Sequence, residues 1–100
     1  MKANIFGHEY DIVAEEGMHF NTGNWGSHSY AKLEIAYDPD MKSSVAGEAI
    51  HHELIEAVNF WNNLGMEHHT IWLISGGMFN ILKNNPELRK LIFEEKDVEK

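Results

Sequence analysis

Ala49-Ile50-His51-His52-Glu53-Leu54-Ile55-Glu56-Ala57 lies in the middle of a long helical pattern and contains His-Glu-x-x-Glu, from His52 to Glu56. Residues i and i+4 share a helix face, so the His52 imidazole and the Glu56 carboxylate are placed to grip one cation. At about 100° per residue, Ala46, Ile50, Leu54, Ala57, Trp61 and Leu64 gather on one side as a core stripe. His52 and Glu56 fall together at the edge of that stripe, and Glu53 falls between them and the apolar side. A carboxylate so close to the buried side is unfavourable unless it is paired or acts on something. The spacing is that of H-E-x-x-H, in which two metal ligands flank a Glu general base, with Glu in place of the second His.

Working outward, this helix begins at Ser43 or Ser44, either of which is a good N-cap, and runs to about Asn63, with Gly65 as its C-terminal glycine. A second helix is expected over about Glu67 to Lys83. On it His68 lies amid Ile71, Trp72, Met78, Phe79 and Leu82, whereas His69 lies about 100° away on the polar flank. Periodicity therefore nominates His68 as a buried imidazole. Leu64 to Glu67, if extended, returns about 13 Å, enough to bring His68 level with Glu56 when the connection doubles back. Gly76-Gly77 in mid-helix costs about 1 kcal/mol per Gly relative to Ala, which a close helix–helix or helix–sheet approach explains. No strand precedes that pair and no Lys-Ser/Thr follows it, so it is not a phosphate loop. A third helix, about Pro86 to Glu94, carries Leu88, Leu91 and Ile92 inward.

The N-terminal half reads as strands. Ile5 and Phe6 close a first strand, Gly7-His8 turn, and Tyr10, Ile12 and Val13 form a second. Glu15 to Ser29 is a long irregular loop rich in Gly, Asn, Ser and His. Tyr30 to Tyr37 alternates with period two, a third strand ended by Asp38-Pro39-Asp40. Three strands followed by three helices predict a single α+β domain over 1–100, with helices packed on one face of a small antiparallel sheet. Residues 1–42 form the sheet half, 43–95 the helical half carrying the metal motif, and 96–100 a frayed charged tail.

Eight basic against sixteen acidic residues give a formal charge of −8. An acidic chain without a basic stripe is a poor partner for nucleic acid. The absence of cysteine excludes disulfides, thiolate metal sites and a Cys nucleophile, and fits a cytoplasmic protein. No signal h-region and no run of about 18 apolar residues is present, so no membrane span is expected.

His52, Glu56 and His68 together make three N/O ligands with an open fourth position, the pattern of a catalytic zinc site. The carboxylate ligand also suits Mn2+ or Fe2+. Of the other histidines, His51 is expected on the solvated flank of its helix, His8 in a turn, and His19 and His28 in the long loop. Trp25, Trp61 and Trp72 are expected as core anchors, and Tyr30 and Tyr37 as packing on the sheet.

The runs His52-Glu-Leu-Ile-Glu-Ala57, Leu64-Gly-Met-Glu-His68-His-Thr-Ile71 and Asn85-Pro86, with the hairpin Ile5-Phe-Gly-His-Glu-Tyr-Asp-Ile12 and the strand Leu33-Glu-Ile-Ala-Tyr37, resemble small phage- and prophage-type proteins of minimal zincin-like fold. The resemblance implies His52, Glu56 and His68 as ligands of a zinc ion whose fourth ligand is water, and Glu53 as general base. The activity expected from it is metallohydrolase chemistry of peptidase or amidase type on a peptide or protein substrate. A non-catalytic, phage-encoded metal-binding or protein-interaction module on the same scaffold is the alternative.

Overall fold

A computed structural model of the chain describes residues 1–94. The charged tail expected beyond them lies outside the described residues. The class is α+β, with a four-stranded mixed sheet and four helices. In chain order they are β1 (Lys2–Ile5), β2 (His8–Ala14), α1 (Met18–Thr22), β3 (Gly26–Ser29), β4 (Glu34–Tyr37), α2 (Ser43–Trp61), α3 (His68–Asn84) and α4 (Pro86–Phe93).

The sheet corrects the expected three antiparallel strands. Its order is β1-β2-β4-β3, and β2 pairs with β4 in parallel. The extra strand, Gly-Ser-His-Ser, and the short helix α1 both lie inside the stretch expected to be an irregular loop. β3 has no apolar alternation because it is an edge strand whose small and polar residues face solvent or the site. Its hairpin with β4 places β4 beside β2, and α1 and β3 together make the crossover that a parallel pair requires. The third strand is half the expected length, because Tyr30 to Leu33 turn and Leu33 takes a left-handed φ of 52°. The first turn is also shifted by one residue. Ile5 pairs with His8, and Phe6 and Gly7 form a two-residue turn with φ values of 52° and 82°, matching the twist of the strands.

β4 is one of the two interior strands, and its Ile35 and Ala36 are both fully buried. On the face that meets α2 the strands present His8, Tyr10, Ile12, Gly26, His28, Ile35 and Tyr37, as period two requires. α2 lies across β3 and β4, α3 packs on α2, and α4 packs on α3. The helices therefore form a stack leading away from the sheet instead of three packed side by side on it. This ordering explains why Leu88, Leu91 and Ile92 of α4 are exposed instead of inward, and why Trp72 on α3 is 57 % exposed instead of a core anchor. Trp25 is also exposed. α2 starts after Lys42, with neither serine as a side-chain cap, and ends at Trp61, which leaves Leu64 outside the stripe and exposed.

A polar chain locks sheet to helix. Trp61 Nε1–H donates to the Tyr10 hydroxyl at 2.7 Å, and with the hydroxyl oxygen accepting there we assign its proton to His28 Nε2, 2.7 Å away. Tyr10 is completely buried, and burial holds the His28 pKa below its ordinary value, consistent with a neutral acceptor. Tyr10→Phe strands both partners, so urea denaturation should show a loss of about 1–3 kcal/mol. A loss under about 0.5 kcal/mol, the range of ordinary surface substitutions, would remove this chain from the account of stability.

Candidate metal centre

Two helices bring the candidate donors together. His52 and Glu56 stand one turn apart on α2, with His52 Nε2 3.3 Å from Glu56 Oε2. His68, the first residue of α3, places Nδ1 2.9 Å from the same oxygen. The connection doubles back as the reach required. Asn59 holds it, accepting the Leu64 N–H on its carbonyl and the Met66 N–H on its side-chain oxygen. Asn63 and Gly65 supply left-handed residues with φ of 50° and 65°.

The three donor atoms lie within 4.8 Å of one another, so the cluster can hold a metal ion. Tetrahedral coordination at about 2.05 Å sets neighbouring donors about 3.3 Å apart, close to the His52–Glu56 separation. The side chains of His52 and Glu56 are 12 % and 23 % exposed, but that of His68 is 77 % exposed. The expected burial of His68 is thus corrected: a helical wheel gives the face of α3 but not the depth along it, and His68 stands at the open end. It is His68, not His69, that meets Glu56; His69 sits nearer Trp72.

Ser75, fully buried on α3, orients the site, a role that the sequence pattern alone does not reveal. Its hydroxyl donates to the Trp72 carbonyl at 3.2 Å and lies 3.2 Å from His52 Nδ1. With the hydroxyl proton so committed, we assign the His52 proton to Nδ1, which leaves the Nε2 lone pair facing Glu56 and His68. Burial also lowers the His52 pKa, outweighing the pull of Glu56 toward the charged form, and so favours the neutral ligand. The signal available was a serine on the inward stripe between Ile71 and Phe79. Ser75→Ala should weaken zinc binding about 10–100-fold in competition against a chromophoric chelator. Affinity within about twofold of the parent would show that Ser75 does not orient His52.

Glu53 is half-buried and faces the edge strand. A Cβ added at Gly26 would lie 3.2 Å from Glu53 Cγ and 3.3 Å from Oε2, so the glycine makes room for the carboxylate. Burial, reinforced by the charge on Glu56, pushes the Glu53 pKa up to about 7. Glu53, His52, Glu56 and His68 line one cleft of about 470 Å³ together with Trp25, Gly26 and Ser27.

The remaining histidines are more involved in packing than their sequence positions suggest. His51 is half-buried against Phe79 with Nδ1 unpartnered among the described residues, so it is not solvated. His8 stacks on Trp61 at 3.9 Å between ring centroids, and His19 stacks on Trp25 at 3.5 Å. Asp38, expected only as a turn residue, is buried. Its carboxylate accepts the His19 and Asp40 N–H groups, which hold its pKa below the usual carboxylate range, while its own N–H donates to the Trp25 carbonyl. It thereby fixes α1 and the start of β3 beside the cleft.

Among the described residues, no helix is long and apolar enough to cross a membrane. No family model matches the chain, and no curated protein or solved structure matches it.

Proposed function

We propose that this chain is a zinc-dependent hydrolase of minimal zincin-like type that cleaves a peptide or amide bond. The observation that carries the proposal is the convergence of His52, Glu56 and His68 from two helices, with donor atoms within 4.8 Å, beside a half-buried Glu53 in the same cleft. When bound, zinc polarises the scissile carbonyl and acidifies water; Mn2+ and Fe2+ fit the same donor set. His52 is held by Ser75 with Nε2 toward the ligand cluster, and Glu53 takes the proton of the attacking water as general base.

The edge strand supports a peptide substrate. Asp38 N–H bonds the Trp25 carbonyl, so ladder alternation turns the backbone groups of Gly26 and His28 away from β4, where an extended chain can pair with them. The acidic surface makes nucleic acid an unsuitable partner. The resemblance to phage-type proteins belongs to the same reading, and a cytoplasmic location goes with it. The alternative on this scaffold is a non-catalytic metal-binding or protein-interaction module, since His68 ties α3 to α2 and a cation there would staple the two helices.

Mass spectrometry of an unstructured peptide mixture incubated with the zinc-loaded chain tests the activity. New termini that vanish with a chelator and return with zinc are expected. No new termini from a demonstrably zinc-loaded chain would leave the binding module as the function.

A further inference from the structure

We infer that this chain forms a two-fold symmetric dimer through the outer face of α3, with the helices antiparallel and crossing at Gly77. Glycine is unfavourable in the middle of a helix, and close approach by another element is its ordinary justification. Within the chain the close approach occurs elsewhere: Gly47 on α2 is the glycine whose added Cβ would meet Phe79 at 3.2 Å. Gly76 meets only Glu48 Oε1, at 3.9 Å, and nothing among the described residues lies within 4 Å of a Cβ at Gly77. Gly77 is exposed, close to the midpoint of α3, and sits in an arc of exposed Leu73, Ile74, Met78 and Ile81.

A second copy suits this face on three grounds. A two-fold contact brings the same surface to itself, so a glycine at the midpoint of an antiparallel pair faces its equivalent and lets the backbones approach closely. The arc holds no charged residue, whereas the chain carries −8 overall, so this is a face where two copies meet without like-charge repulsion. The exposed apolar residues of α3 are continued by exposed Leu88, Leu91 and Ile92 of α4, which packs on it, so the apolar surface extends beyond one helix. The remaining residues, Glu95 to Lys100, are charged except for Val98 and do not match such a surface. Around α3 the arc lies on the flank away from His68, Trp72 and Ser75, so dimerisation leaves the cleft open.

Sedimentation equilibrium of the full chain, from low to high micromolar, tests this. The expected mass is twice 11.5 kDa. Gly77→Leu, whose Cβ would have no neighbour within 4 Å among the described residues, and Ile81→Asp should each raise the dimer dissociation constant at least tenfold. Helical circular dichroism and zinc stoichiometry should stay at parent values. Should Ile81→Asp unfold the chain, Gly77→Leu alone decides. A monomer at every concentration overturns the proposal, as does a dimer indifferent to Gly77→Leu.

Discussion

Zinc should raise the melting temperature of the chain by about 10–20 °C, and His52→Ala should abolish the rise. A ligand that binds only the folded state at a hundred times its Kd adds about 2.7 kcal/mol. In a chain of this size each kcal/mol moves Tm by about 4–8 °C. His52 is the appropriate residue to remove because it is the proposed ligand with the most support: partly buried, favoured in its neutral form by that burial, and within reach of the Ser75 hydroxyl. Its loss leaves Glu56 and the exposed His68, a pair open to water. A chelator should return the parent protein to its metal-free Tm. Differential scanning calorimetry with and without zinc makes the comparison. An equal rise in parent and His52→Ala would place the bound metal somewhere other than this cluster.

Glu53→Gln should separate chemistry from binding. In the zinc-loaded chain it should lower peptide cleavage by about 10²–10⁴-fold, the usual contribution of a general base, at unchanged metal content. In the metal-free chain it should act on stability, with a sign set by pH. The folded pKa of Glu53 is about 7, above the ordinary carboxylate value of 4.5, so between these values the folded state holds more proton than the unfolded one. Stability from this group is therefore full below about pH 4.5 and is lost as pH rises to about 7. With solvent reaching the half-buried carboxylate, the loss is about 1–3 kcal/mol instead of the full linkage value. Glutamine carries no charge to desolvate, so the metal-free variant should be more stable than the parent at pH 8 and equal to it at pH 4.5. Urea titrations at the two values read this directly. Equal stability at pH 8 would mean that Glu53 is better hydrated than its place beside Gly26 implies, while cleavage unaffected by the substitution would remove Glu53 as the base.

What was legible in the sequence depended on periodicity over long segments. The helices α2, α3 and α4 were placed within a residue or two because 3.6-residue patterns, Gly65 and Pro86 all agree there. His52 and Glu56 followed from i, i+4 geometry alone. β3 escaped because Gly-Ser-His-Ser has no apolar rhythm: its role is to be an edge and to leave space for Glu53, and Gly26 shows that only once the partner is known. The parallel β2–β4 pair depends on that missed strand. The exposure of His68, Trp72 and the α4 leucines is hidden from the sequence for a related reason. A wheel reports which side of a helix is apolar but not whether a partner lies against it, and α3 and α4 lead away from the sheet. Ser75 and Asn59 are polar residues doing local positioning, and only tertiary contacts distinguish them from surface residues.

His52, Glu56 and His68 are proposed to form one metal site. The most direct measurement is the zinc content of untagged protein by elemental analysis after equilibrium dialysis at neutral pH, beside His52→Ala, Glu56→Ala and His68→Ala. One zinc per chain is expected in the parent and a loss of binding in all three variants, with circular dichroism unchanged. No zinc in the parent, or one zinc retained through all three substitutions, would contradict it.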